Sequence, residues 1–169
     1  PAGTETIGTL MQRAGYRTAC IGKWGLGAPN NSGYALKQGF DHFFGYYDQR
    51  HAHNYYTDHL WRNDAIVPLD GKTYSHDLMT KEAMQFIEAN KDRPFFLYLP
   101  YCIPHTKFQV PELGIYQDKP WTKNQKTQAA MISRMDRDVG AIAAKLRDLG
   151  IAENTLIMFT SDHGAHGMG

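Results

Sequence analysis

A short apolar run near the start of the chain ends in a glycine and a lysine, in the stretch Gly15-Tyr16-Arg17-Thr18-Ala19-Cys20-Ile21-Gly22-Lys23-Trp24-Gly25. A second apolar run, near the other end, leads into Phe159-Thr160-Ser161-Asp162-His163-Gly164. Both runs predict short buried parallel strands. Ligands of open α/β sheets bind beyond the carboxyl ends of such strands, so we expect Lys23, Asp162 and His163 to lie near one site. These residue types suit a divalent metal and an oxyanion such as sulfate or phosphate.

Helices and strands alternate along the chain between these two runs. Helical spacing of apolar residues predicts helices over Thr6 to Ala14, over Ser75 to Asn90 with Ser75 as N-cap, and through Met131 to Leu149. Continuous apolar segments predict strands over Thr18 to Ile21, Phe95 to Leu99 and Thr155 to Phe159. A long loop is expected from Gly22 to Tyr47, and a hairpin within Tyr55 to Val67 that turns at Asn63-Asp64. The alternation predicts an α/β fold with a mostly parallel sheet flanked by helices.

Bulk composition excludes several classes of function. The 169 residues are 42% hydrophobic and 21% charged, with a formal net charge of +1, which is ordinary for one globular domain and does not indicate a nucleic-acid surface. No run of about 18 apolar residues is present, so no membrane-spanning helix is expected. Cys20 and Cys102 do not define a disulfide framework, and we expect both to be buried free thiols.

Histidines and one lysine are the candidates for chemistry outside the Asp162-His163 pair. His105 follows the predicted strand that ends at Leu99 and should emerge on the same edge of the sheet. Lys23 stands between glycines, where the backbone approaches a ligand closely. His51 and His53 belong to an aromatic and polar cluster that would line a substrate pocket. The plainer interpretations are surface histidines, a solvated lysine and a capping aspartate. The other histidines, His42, His59 and His76, are assigned to structure.

Several motifs in order resemble those of the sulfatase family, the formylglycine-dependent branch of the alkaline phosphatase superfamily. The stretch from Gly15 to Gly27 resembles the family's "GY.T" strand and "GKWHLG" loop, and Gly39 to Tyr46 resembles "GFD.FFGY". Phe95 to His105 is similar to "PFFLYL…PH.P", and Asn154 to Gly164 to "NTLVIFTSDNG". The resemblance covers essentially the whole chain and implies an alkaline phosphatase-like fold.

The resemblance also implies roles for particular residues. Lys23 would contact the sulfate and the formylglycine, and His105 would bind sulfate oxygens or assist the leaving group. Asp162 and His163 would ligate a divalent metal, most often Ca²⁺ in this family, with Zn²⁺ or Mg²⁺ as alternatives. His53 is a candidate for contact with the substrate.

Three departures from the family pattern qualify the resemblance. Gly25 stands where many members have a catalytic histidine, and His163 replaces the commoner asparagine. The cysteine motif that is converted to formylglycine, C-x-P-S-R or C-x-A-x-R, does not occur in the 169 residues. We therefore expect residues 1–169 to be the central part of a sulfatase catalytic domain. The nucleophile segment and a C-terminal domain would lie outside it, and the isolated fragment would be inactive.

The expected reaction is hydrolysis of sulfate esters, on family grounds those of sulfated carbohydrates, after a formylglycine-generating or anaerobic sulfatase-maturing enzyme has acted. Periplasmic or secreted localisation is expected from the family alone. Two alternatives stay open. One is a zinc phosphohydrolase of the same superfamily, with serine or threonine as its nucleophile. The other is a sulfatase homologue that binds sulfated glycans without catalysis.

Overall fold

A computed structural model of the chain describes residues 3–162 and 164. The first half contains α1 (Ile7–Arg13), β1 (Arg17–Lys23), β2 (His42–Tyr46), β3 (His59–Arg62) and β4 (Ala65–Pro68). The second half contains α2 (Ser75–Ala89), β5 (Phe95–Tyr98) and α3 (Lys123–Asp148). Short 3₁₀ turns lie at Ala35–Gln38, His51–His53, Gly114–Tyr116 and Ala152–Asn154. The elements confirm the predicted α/β class.

The five strands form one mixed sheet in the order β4-β3-β2-β1-β5. β1 pairs in parallel with β2 and with β5, whereas β3 and β4 extend the sheet as an antiparallel hairpin. The hairpin turns at the predicted Asn63-Asp64, and it belongs to the main sheet because β3 pairs with β2. β1 lies between two parallel neighbours, and this position explains why Ala19, Cys20 and Ile21 have no exposed surface.

Close approach of the backbones sets the carboxyl end of β1. Gly22 and Gly45 face each other in the register of β1 and β2, with φ values of +140° and +145°. A Cβ atom at Gly22 would lie 2.1 Å from the carbonyl oxygen of Pro100, and one at Gly45 would lie 1.9 Å from that of Gly22. Only glycine fits at both positions. They bring β1, β2 and the segment after β5 together at one edge of the sheet.

The helices begin and end for recognisable local reasons. Thr6 caps α1 and Thr122 caps α3, each through a reciprocal hydrogen-bonded box with the residue three positions on. Gly15 and Gly150, with φ values of +84° and +71°, follow the ends of these helices. The α2 prediction needs one correction, because the helix begins at Ser75 and Tyr74 is its N-cap, without a side-chain capping bond.

Two expectations about strands were wrong. The predicted loop Gly22 to Tyr47 contains β2, whose Phe43, Phe44 and Tyr46 are buried against both faces of the sheet. The predicted strand Thr155 to Phe159 forms no strand, and its residues 156–159 are exposed. β5 is less covered than expected, since its residues are half-buried or exposed and, within residues 3–162 and 164, it pairs on one side only.

The core consists of two clusters on opposite faces of the sheet. One contains Tyr46, Tyr55, Met79 and Met131 among its buried members, and the other contains Trp24, Phe40 and Phe43. Cys20 and Cys102 are buried free thiols, as predicted. Among the helices of the described part of the chain, none has the length and apolar character that crossing a membrane requires.

Candidate active site

The carboxyl ends of β1 and β5 meet at one edge of the sheet. The backbone N–H of Lys23, the last residue of β1, donates to the carbonyl oxygen of Pro100 over 2.9 Å. The segment from Pro100 to His105 therefore continues β5 alongside the end of β1. This neighbourhood follows from the parallel register of the two strands, Cys20 opposite Tyr98.

Two histidines stack at this edge. The rings of His53 and His105 have centroids 4.3 Å apart and planes inclined by 14°. His53 comes from the 3₁₀ turn His51–His53, which follows β2, and its carbonyl oxygen accepts a hydrogen bond from the Lys107 N–H at 3.3 Å. His105 is exposed and His53 is half-buried, so the pair faces solvent on one side.

Lys23 lies close enough to His53 for its charge to act on that ring. The pKa of His53 is lowered, first by burial and then by the positive charges of His105 and Lys23. At Cys102, burial raises the pKa of the thiol to about 12, and the charge of Lys23 has a smaller, lowering effect. Lys23, His53 and His105 are named here the lysine–histidine cluster. It is a concentration of cationic and imidazole donors that favours an anion.

Tyr55 holds the loop that presents His105, and the sequence interpretation did not single it out. Its hydroxyl donates to the carbonyl oxygen of His105 at 2.8 Å and lies 3.2 Å from that of Cys102. Its backbone N–H donates to Oε1 of Gln109 at 3.0 Å. Tyr55 has no exposed surface, and burial raises its pKa, so it stays a hydroxyl donor. The available signal was its place in the aromatic segment around His51 and His53.

Gly25 faces the side chain of Gln49. A Cβ atom at Gly25 would lie 2.0 Å from Nε2 of Gln49, and Gly25 has a φ of +72°. The carboxamide thus fills the space of a side chain at position 25. A histidine at that position would require both a strained backbone and displacement of Gln49.

Of the two predicted metal ligands, the structure describes only Asp162. Asp162 is exposed and close enough to Tyr98, at the end of β5, to act with burial and Cys20 in raising the pKa of that phenol. His163 lies outside the described residues. No group of three or more histidine, cysteine, aspartate or glutamate ligands in residues 3–162 and 164 includes Asp162. One carboxylate does not hold Ca²⁺, which takes six to eight oxygen ligands, so these residues alone do not form the implied site.

Comparison with known proteins identifies the class. The family model described as Sulfatase matches residues 1–169. The uncharacterized sulfatase YdeN of Escherichia coli (strain K12) is 32% identical over 96% of this chain and 33% of its own length. Arylsulfatase of Hemicentrotus pulcherrimus is 32% identical over 98% of this chain and 32% of its own length. The chain belongs to the sulfatase family.

Further relatives agree on both sequence and fold. Human N-acetylgalactosamine-6-sulfatase is 30% identical over 98% of the chain and 33% of its own length. The structure of Ps i-CgsB in complex with k-i-k-neocarrahexaose is 27% identical, with a TM-score of 0.78 over 92% of this chain and 39% of that one. The chain thus spans about a third of the length of the curated relatives it matches. This agreement extends the α/β assignment to an alkaline phosphatase-like fold.

Proposed function

We propose that the protein to which this chain belongs hydrolyses sulfate esters and that Lys23 and His105 act on the sulfate group. The observation that carries the proposal is the lysine–histidine cluster, assembled from β1, the segment after β5 and the turn after β2 in a chain of the sulfatase family. Sites of open α/β sheets lie at this edge.

The chemistry of the cluster matches the requirements of the reaction. Cleavage of a sulfate ester breaks the bond between sulfur and the ester oxygen, and that oxygen must gain a proton to leave as an alcohol. The Lys23 ammonium compensates negative charge on the sulfate oxygens. A ring N–H of His105 binds a sulfate oxygen or donates the proton to the leaving oxygen. His53, stacked against His105, fixes the ring and offers a further contact to the substrate.

The nucleophile in this proposal is a formylglycine formed from a cysteine outside the 169 residues. Neither cysteine here stands in a C-x-P-S-R or C-x-A-x-R motif. Burial raises the pKa of the Cys102 thiol to about 12, so that thiol is protonated and a poor nucleophile near neutral pH. A formylglycine-generating or anaerobic sulfatase-maturing enzyme would be the partner of the whole protein.

Calcium and the substrate class are further parts of the proposal. Asp162 and His163 would ligate Ca²⁺ together with residues outside this sequence, and metal analysis of the whole protein tests this. A sulfated carbohydrate is the proposed substrate, because one relative is named for a sulfated sugar and a structural neighbour holds a hexasaccharide. Periplasmic or secreted localisation is proposed on family grounds only.

The test uses the full-length protein co-expressed with a formylglycine-generating enzyme, with cysteine conversion verified by mass spectrometry. Hydrolysis of 4-nitrophenyl sulfate is compared for the wild type, Lys23→Ala and His105→Ala. Each variant should lose at least about 100-fold in kcat/KM, because each removes a group that stabilises or protonates the transition state. The matched control is Lys107→Ala, an exposed lysine two residues from His105, which should stay within about threefold of the wild type.

Two results would overturn the proposal. Faster hydrolysis of 4-nitrophenyl phosphate than of the sulfate would identify a phosphohydrolase. No turnover of either ester by fully converted protein, together with binding of sulfated oligosaccharides, would identify a non-catalytic glycan binder.

A further inference from the structure

A second group of potential ligands lies at the base of the β3–β4 hairpin, outside the lysine–histidine cluster. His51, Asp58 and His59 each offer one ligand atom, and these atoms all lie within 4.8 Å of one another. In the part of the chain that the structure describes, this is the one group of three or more such residues. We propose that this hairpin-base cluster is a binding site for Zn²⁺ or a similar divalent transition metal.

The donor set selects the class of ion. Two imidazoles and one carboxylate suit Zn²⁺ and its first-row neighbours, whereas Ca²⁺ and Mg²⁺ take oxygen ligands almost exclusively. Three protein ligands leave the fourth position of a tetrahedral Zn²⁺ ion for water. The proposed site therefore differs in kind from the calcium site that the family resemblance implies for Asp162 and His163.

The two imidazoles are already adjacent. The rings of His51 and His59 have centroids 4.3 Å apart and planes inclined by 34°. Nε2 of His51 lies against Oγ1 of Thr57, and Nδ1 of His59 lies 2.7 Å from Oδ1 of Asp58. Zn²⁺ bonds of about 2.0–2.2 Å place neighbouring ligand atoms roughly 3.3 Å apart in a tetrahedron. Because the ligand atoms all lie within 4.8 Å of one another, no pair needs to close by more than about 1.5 Å, and the Asp58–His59 pair at 2.7 Å needs to open slightly.

Two ligands are held by the fold and one can move. The His51 ring packs edge-on against buried Tyr46, with centroids 4.8 Å apart, and the His59 ring lies edge-on to Trp61 at 6.4 Å. The Asp58 side chain is 86% exposed, so it has room to turn toward an ion placed between the two rings. The open side on which it lies admits the water ligand.

A metal at this cluster would connect two segments of the candidate active site region. His51 and His53 share one 3₁₀ turn, and Asp58 and His59 lie where the hairpin begins. An ion bound to both segments would fix the turn that stacks His53 on His105. Its role would be structural, since it bonds none of the residues of the lysine–histidine cluster.

The test is a zinc titration of full-length, metal-stripped protein against a chromophoric zinc indicator. The wild type should bind one more Zn²⁺ ion than the Asp58→Asn and His59→Asn variants. If the variants still bind that ion, each substitution should raise its dissociation constant at least tenfold. Both positions tolerate change better than His51, which packs on the buried Tyr46. His42→Asn is the matched control, because His42 lies in β2, pairs with Glu82 and belongs to no group of three or more ligands in the described part of the chain.

Two results would overturn the assignment. One is wild-type protein whose Zn²⁺ binding is unchanged by Asp58→Asn and His59→Asn, both shown to be folded by circular dichroism. The other is an equal loss of Zn²⁺ in the His42→Asn control. The titration needs no turnover, so failure of the zinc site would leave the sulfatase proposal intact, and an inactive protein would leave the zinc site intact.

Discussion

The two apolar runs near the ends of the chain have opposite environments. In the first run, Ala19, Cys20 and Ile21 have no exposed surface. In the second run, Leu156 and Met158 are 84% exposed. Both runs predict a buried strand, and only the first is one. The difference shows that an apolar run predicts a segment that burial would stabilise. Contacts with other segments decide whether that segment is buried.

The physical cause lies in the neighbours of each run. β1 has a parallel partner on each side, and Gly22 and Gly45 permit the close approach of those partners. The second run pairs with no strand among residues 3–162 and 164, and β5 has a free edge there. Burial of an aliphatic side chain contributes about 1.5–3 kcal/mol, and the second run gains little of it in the described structure.

The largest expected effect is that of Gly22→Ala, because it places a side chain where the backbones of β1 and the segment after β5 approach each other closely. The new Cβ would meet the Pro100 carbonyl oxygen at 2.1 Å on a backbone with φ of +140°, so we expect a loss on the order of 4 kcal/mol in the free energy of unfolding. Gly140→Ala in α3 is the control, because nothing lies within 4 Å and alanine favours a helix by about 1 kcal/mol. Urea denaturation measures both. Similar stabilities of the two variants would show that the strands do not approach as described.

Each run contains an isoleucine, so the same substitution can be compared in the two environments. Ile21→Ala should destabilise the 169-residue chain by about 3 kcal/mol, because Ile21 is fully buried. Ile157→Ala should change the free energy of unfolding by no more than about 0.5 kcal/mol, because Ile157 is 52% exposed. Thermal and urea unfolding give both values. Equal losses would mean that the second run is covered in solution and would remove the contrast.

The smallest expected effect concerns two aspartates of α3, one covered and one exposed. Asp138 Oδ2 accepts hydrogen bonds from His76 Nε2 at 3.0 Å and Thr80 Oγ1 at 3.1 Å, and Arg137 pairs with Oδ1. Burial acts to raise the pKa of Asp138, but the hydrogen bonds and charges of His76 and Arg137 outweigh it and lower the pKa. Asp138→Asn should cost about 1–3 kcal/mol at pH 7, whereas exposed Asp136→Asn should cost almost nothing.

The same pair has a defined pH dependence. Since the pKa of Asp138 is lower in the folded state than in the unfolded state, its contribution to stability is present above about pH 4 and is lost as the pH falls toward the folded value. The difference in unfolding free energy between the wild type and Asp138→Asn should therefore shrink below about pH 4. A difference independent of pH between 3 and 7 would contradict the stated cause.

Local signals in the sequence predicted the elements that local forces form. Helical spacing of apolar residues located α1 and α3, and Asn63-Asp64 located the turn of the hairpin. β2 escaped prediction because a five-residue strand that contains a glycine has little signal of its own. Its strand geometry depends on pairing with β1, which is distant along the chain.

The candidate site likewise contains residues that the sequence predicted and contacts that it did not. Lys23 and His105 could be singled out because each follows an apolar run. The stacking of His53 on His105, the hydrogen bond from Tyr55 and the position of Gln49 over Gly25 could not, because they join residues 24 to 52 positions apart. The grouping of His51 with Asp58 and His59 likewise depends on the turn and the hairpin folding against each other.

The sequence by itself determined the α/β class, the three helices, the hairpin and the sulfatase family, because these follow from periodicity, turn chemistry and ordered motifs. Only the tertiary structure decided which apolar run is buried, which histidines meet and where the sheet has a free edge. Those properties depend on contacts between distant segments, and no local pattern of residues encodes such contacts.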